Sequence, residues 1–150
     1  MIDSWENAVS QWFTSGGFVI EMTVRMALAV ALGGALGLER ESRGQEAGFR
    51  TFLLVCLGAC IAMIVSLAFA RIDWTTMAGG EEIRTDPGRI AYGVLAGVGV
   101  LGAGTILKTR GQVRGPPPAA GIWAVDAIGL MVGFGLYLPS LFATLLVLLA

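Results

Sequence analysis

Histidine is missing from all 150 residues. Its absence excludes Ser-His-Asp and Cys-His catalysis, His-ligated zinc and histidine-bound haem. Cysteine is almost missing, with only Cys56 and Cys60, four positions apart inside an apolar run. That spacing is not CxxC, and two positions one turn apart on a helix suit a disulfide poorly, so both read as small core residues. Charge is scarce at 14%, against roughly 25% in an ordinary soluble domain. The net charge of −1 supplies no basic patch for nucleic acid. A basic leader is lacking too: Asp3 and Glu6 stand where a secretory signal would be positive, so the first apolar run reads as a retained membrane helix.

What is plentiful is apolar sequence, 55% of the chain with a mean hydropathy of +0.75. The length bounds it to one domain, residues 1–150. Apolar runs at 18–38, 52–70, 90–107 and 119–136 each approach the ~20 residues that carry a helix across a bilayer. A fifth, 138–150, covers only about 20 Å of the roughly 30 Å core, so the sequence reads as stopping inside a helix, ahead of a further segment or at a short natural end. The expected fold is all-α, a polytopic membrane bundle of about five transmembrane helices. Ahead of them, Ile2, Trp5, Val9 and Trp12 lie opposite Asp3, Glu6 and Gln11, which predicts an amphipathic interfacial helix over 1–17, ended by Gly16-Gly17.

Small residues mark where these helices meet. Ala29, Gly33 and Gly37 form a four-residue ridge on the first span, a pattern that lets a neighbouring backbone approach closely in lipid. Gly93, Gly97, Gly99, Gly102 and Gly104 stud the third, predicting tight packing or a local break lining a cavity. Such ridges suggest a homo-oligomer, with a dimer favoured. Glu21 and Arg25 are spaced for an i,i+4 ion pair near one end of the first span. Asp86 is placed to cap the third helix, with Pro87 at its first position. Lys108–Gly115 reads as a short loop, and Pro116-Pro117-Pro118 as a rigid extended entry to the fourth helix.

Orientation follows from lysine and arginine. With the N-terminus outside, the inner loops hold Arg40, Arg43, Arg50, Lys108, Arg110 and Arg114, and the outer loop holds Arg71, Arg84 and Arg89. Six against three favours that arrangement, and Trp5, Trp12, Trp74, Tyr92 and Tyr137 then line the outer interface.

The residues able to carry chemistry gather around 39–51, E-R-E-S-R-G-Q-E-A-G-F-R-T, read as a charged loop between the first two spans. Glu39 and Glu41 are candidate oxygen ligands for Mg²⁺, with salt bridging to Arg40 and Arg43 as the competing use. Arg40, Arg50 and Arg114 are equally able to hold a phosphate or lipid head group. Asp126 falls about eight residues into the fourth span, roughly 12 Å deep. At that depth a carboxylate needs a partner or a proton, and Arg40, Arg50 and Arg114 are the nearest candidates; an ion pair between helices and a ligand or metal site are the alternatives. The glycines at 97–104 follow no strand, so a dinucleotide loop is not indicated. No acid–base pair with an activated nucleophile is present, and an enzyme is not expected.

Several segments together resemble the membrane domain of the MgtC/SapB family: L-G-L-E-R-E at 36–41, A-G-F-R-T at 47–51, G-R-I-A at 88–91, G-V-L-G-A-G-T-I-L at 99–107 with Gly97 before it, V-R-G at 113–115, and A-A-G-I-W with A-I-G-L within 119–130. The resemblance runs from Gly33 to the C-terminus. It implies a bacterial inner-membrane protein with five transmembrane helices and an external N-terminus, and many members continue into a soluble cytoplasmic domain. It further implies a role in growth at low magnesium, intracellular survival of pathogens and inhibition of the F-type ATP synthase, so that an ATP synthase or a transporter is the kind of partner expected. Direct magnesium transport is the source of the family label. The motif positions carried over are Glu39, Arg40, Glu41, Gly48, Arg50, Thr51, Arg89, Gly102, Gly104, Arg114, Gly115 and Trp123. Two features depart from the pattern: Pro116-Pro117-Pro118 replaces a run bearing hydroxyls, and Asp126 stands where a small residue is usual.

Overall fold

A computed structural model describes residues 16–71, 85–109, 112–114 and 116–149. Of the interfacial segment expected over 1–17, residues 1–15 lie outside the described residues and Gly16 and Gly17 begin the first helix instead of ending the segment; the loop expected outside, with Trp74 and Arg84, and Gly115 also lie outside them. Five helices follow in order: α1 (Gly16–Ser42), α2 (Phe49–Arg71), α3 (Gly88–Gly104), α4 (Pro116–Phe134) and α5 (Tyr137–Leu149). A short hairpin, β1 (Leu107–Thr109) and β2 (Gln112–Arg114), precedes α4. The chain is thus an all-helical bundle, with α1 and α2 long and apolar enough to cross a bilayer and the remaining helices apolar but shorter.

Helix ends differ from the expected ones for local reasons. The first helix runs on through Glu39, Arg40 and Glu41 to Ser42 instead of stopping at Leu38. It stops at Gly44, whose φ of +70° is open to glycine without penalty. There Gly44 N–H reaches the Glu41 carbonyl and Gln45 N–H the Arg40 carbonyl, satisfying two of the free carbonyls at the helix end. The same motif closes α4: Gly135 takes φ +97°, Gly135 N–H bonds Val132 O and Leu136 N–H bonds Met131 O. Pro116, Pro117 and Pro118 are not an extended lead-in but the first turn of α4. The first N–H groups of a helix have no intrahelical acceptor, so proline loses nothing there. The stretch expected to be a loop over 108–115 instead pairs as antiparallel strands, with Leu107 opposite Arg114, Lys108 opposite Val113 and Thr109 opposite Gln112. Asp86 does cap α3, its Oδ1 accepting Gly88 N–H at 2.8 Å.

α4 is the central element and packs against every other helix. Its buried side chains Ile122, Val125, Ile128 and Val132 join Ala29, Leu32 and Leu36 of α1, and Phe52, Cys56 and Cys60 of α2, in one core. Cys56 and Cys60 are free and buried, as core residues should be. Small residues set the spacing of these helices. A Cβ at Gly33 would stand 2.6 Å from Cys56 Cβ, and one at Gly37 would stand 2.6 Å from Phe49 Cα, so the α1 ridge is used within the chain, against α2. On α4, Gly121, Gly129 and Gly133 face α2 in the same way. A Cβ at Gly133 would meet Cys60 O at 2.6 Å and Met63 Cβ at 2.7 Å; one at Gly129 would run into Cys56 O. The glycines of α3 behave differently. Gly93, Gly97, Gly99 and Gly104 have nothing within 4 Å of an added Cβ, and Gly102 alone of that set rests on Ala119 of α4. The tight packing or cavity expected around them is not formed by the described residues.

Candidate functional site

Polar groups collect at three levels of the bundle. At the Gly16 end of α1, Arg25 is only 6% exposed although it lies in an apolar helix. Its guanidinium ion-pairs with Glu21, as the i,i+4 spacing predicts. It also donates from Nη1 to Gly133 O at 2.5 Å and from Nε to the Tyr137 hydroxyl at 3.2 Å. Gly133 lies in the last turn of α4, where carbonyls lack an intrahelical partner and the helix dipole favours a cation.

At the opposite end of α1, a second arginine does the same for α5. Arg40 Nη2 donates to Val147 O at 3.3 Å, in the last turn of α5. Its Nε lies 3.2 Å from Glu39 Oε2, while Glu39 Oε1 pairs with Arg43. Neither Glu39 oxygen is in hydrogen-bonding alignment, so these are coulombic contacts of a half-buried carboxylate. Glu41 points the other way: its Oε2 accepts Phe49 N–H at 2.9 Å, satisfying an orphan donor at the start of α2. Gly48 fits beneath that carboxylate, since a Cβ there would stand 2.8 Å from Oε2. The E-R-E triplet therefore ties the α1–α2 turn together and reaches across to α5.

Between the two ends sits Asp126. Because α4 begins at Pro116, Asp126 is ten residues along, roughly 15 Å from the helix start and near its midpoint, deeper than the sequence suggested. It is 1% exposed, and its Oδ2 is buried without a hydrogen-bond partner. The expected pairing with Arg40 or Arg50 is not made. Arg40 is engaged with Glu39 and Val147, and Arg50 is exposed at the start of α2.

The remaining expected site residues scatter. Thr51 is exposed beside Arg50, Arg89 is exposed on the first turn of α3, and Trp123 is 52% exposed on the outer face of α4. Arg114 ends β2. Glu39, Glu41 and Asp126 do not come together, and no group of three metal-ligating side chains occurs among the described residues. Glu41 is occupied as a cap and Glu39 by two arginines, so this donor set does not fit a Mg²⁺ site. Among the described residues the charged groups expected to act together have two separate uses: ion pairs and hydrogen bonds near the ends of α1 and a carboxyl by itself in the middle of α4. The sequence reading missed the burial of Arg25 and the glycine ridge of α4. The second had a signal, because Gly121, Gly129 and Gly133 are separated by multiples of four.

A helical membrane domain whose first helix carries two arginines that clamp the ends of later helices, closed by glycine contacts, is the class these features define. The chain belongs to the MgtC family, whose sequence model matches residues 26–150. It is 37% identical over 129 residues to a protein of Escherichia coli strain K12 named putative magnesium transporter YhiD, covering 86% of this chain and 58% of that one. Over 127 residues it is 35% identical to protein MgtC of Salmonella typhimurium strain LT2, covering 85% and 49%. It is also 36% identical over 145 residues to protein SrpB of Synechococcus elongatus, covering 91% and 76%. The chain spans about half the length of several of these relatives. No solved structure matches it.

Proposed function

We propose that this chain forms the membrane domain of a non-enzymatic regulator in the bacterial inner membrane, acting on a transport or energy-coupling partner and linked to magnesium homeostasis. It crosses the membrane five times with its N-terminus outside, a topology supported by the six-to-three excess of basic residues in the inner loops. The observation that carries the regulatory reading is the closure of the bundle. Gly33, Gly37, Gly129 and Gly133 bring α1 and α4 onto α2 at backbone distance, and the one carboxyl at mid-depth is 1% exposed. A permeation path needs a continuous polar route, and the polar groups here stand in three separate levels.

The second reading is a transporter or channel for Mg²⁺ or another small ion. It is favoured by Asp126, whose Oδ2 has no hydrogen-bond partner and which, as an ionisable residue inside a membrane segment, is a functional-site candidate by default, and by the printed name of the Escherichia coli relative. Mg²⁺ flux into proteoliposomes loaded with a magnesium indicator separates the two. The regulatory reading expects no flux above empty vesicles from folded, inserted protein. Flux lost in Asp126→Asn or Arg50→Gln would replace it with the transporter.

A further inference from the structure

We propose that Asp126 is a proton-binding site at the centre of the bundle, its carboxyl held as the neutral acid in the folded protein. The inference goes beyond the regulatory reading and does not depend on it. It stands on depth, burial and the absence of a counter-charge beside it among the described residues. Asp126 lies ten residues after Pro116 and eight before Phe134, so both ends of α4 are more than two turns away. The side chain is 1% exposed and Oδ2 is buried without a partner.

Each of the four other helices packs against α4, and none brings a compensating group among the described residues. On α1 the ionisable residues are engaged elsewhere: Arg25, nine residues in from Gly16, is held by Glu21, Gly133 and Tyr137, Glu39 and Arg40 by each other with Arg43 and Val147 as further partners, and Glu41 by Phe49 N–H. α2 carries no charge between Arg50 and Arg71, only the thiols of Cys56 and Cys60. α3 carries none beyond Arg89, and its Tyr92 is exposed. α5 has no charged residue. The hydroxyls of its buried Ser140 and Thr144 are turned to the backbone carbonyls of Tyr137 and Ser140, and its Tyr137 is taken by Arg25.

An ionised carboxylate in such surroundings would bear its whole desolvation penalty uncompensated. A hard metal ion does not relieve it, because Mg²⁺ demands an octahedron of oxygens and no cluster of ligating side chains surrounds the site among the described residues. A proton is the one cation a lone carboxyl binds without further ligands. During folding one O–H bond of a hydronium ion in the surrounding water breaks, an O–H bond forms at one carboxylate oxygen, and a neutral water molecule is released.

The test is the infrared spectrum of the full chain in lipid vesicles at neutral pH, recorded for wild type and Asp126→Asn. Wild type should show the C=O stretching band of a protonated carboxylic acid, which the variant lacks. Carbon-13 labelling of aspartate in the wild type should shift the same band, a reading that survives even if the variant folds poorly. A second measurement is the melting temperature. Asparagine is the uncharged isostere of the neutral acid, so Asp126→Asn should melt within a few degrees of wild type. The proposal is overturned by a spectrum in which all aspartate signal is carboxylate. It is equally overturned if Asp126→Asn melts as far below wild type as Arg25→Ala does, because a compensated charge would then have been lost.

Discussion

Glycine does opposite things on α3 and α4. On α3 four of the five glycines highlighted by the sequence face open space. On α4 Gly129 and Gly133 touch the backbone of α2 so closely that no other residue fits without moving a helix. The residue type is the same and the local density is greater on α3, yet α4 is where glycine fixes the interhelical distance. In lipid, where apolar burial between helices brings little gain, close backbone approach is what van der Waals packing rewards. Density of glycine is therefore a weaker sign of a contact than its register with a partner's small or polar atoms.

The largest effect should come from filling the α4 contact. Gly129→Leu places a side chain into Cys56 O and Ala59 Cβ, and Gly133→Val into Cys60 O and Met63 Cβ. Overpacking of a tight core typically costs about 1–3 kcal/mol, and these contacts are with backbone, which yields least. Either variant should lower the melting temperature more than any other single change discussed, or prevent folding. The buried thiols of Cys56 and Cys60 line this interface, so the rate of labelling by a thiol-reactive dye on heating reads the loss of packing directly.

Next in size is Arg25→Ala. It removes three hydrogen bonds from a cationic donor, to Glu21, Gly133 and Tyr137, and leaves Gly133 O unsatisfied in a buried position. Hydrogen bonds to charged groups contribute roughly 1.5–3 kcal/mol, with the unpaired acceptor adding to the loss. Arg25→Lys should recover only part of it, since an ammonium cannot serve Gly133, Tyr137 and Glu21 with the geometry of a planar fork. Equal stability of the lysine and arginine forms would show that charge, not geometry, holds the α4–α5 turn.

Glu41→Ala should cost less, about 0.5–2 kcal/mol, the usual range for losing a cap. Glu41→Gln keeps an oxygen for Phe49 N–H and should lie close to wild type. If both variants behaved alike, the carboxylate would be acting through its charge, and the cap would not account for its place opposite Gly48.

Most of the scaffold was legible in the amino acids. Apolar runs near bilayer length announced the helices, and the Ala29–Gly33–Gly37 ridge announced a close helix contact, because both depend on periodicity along one segment; that the ridge meets α2 of the same chain was not in it, and the ridges had pointed to a second copy. What escaped depended on two segments at once. The continuation of α1 to Ser42 is set by Gly44 and its returning hydrogen bonds, and charged residues at 39–41 disguised it as a loop. Proline in α4 was misjudged because its cost depends on which turn it occupies. Arg25 looked like a surface ion pair from Glu21 alone; its burial comes from Gly133 and Tyr137, more than a hundred positions away. Asp126 was singled out correctly as unusual, but its isolation from Arg40 and Arg50 follows from helix register, which no single segment contains.

The smallest effect should be at α3, and it sharpens the contrast best. Gly97→Ala adds a methyl group where nothing lies within 4 Å. Alanine is favoured over glycine inside a helix by roughly 0.5–1 kcal/mol, since glycine loses more backbone freedom on folding. The variant should melt at or slightly above the wild-type temperature in detergent, while the same change at Gly133 lowers it. A marked loss at Gly97 would mean that a surface beyond this chain meets α3 there, and that its glycines, like those of α4, are fitted to a neighbouring backbone.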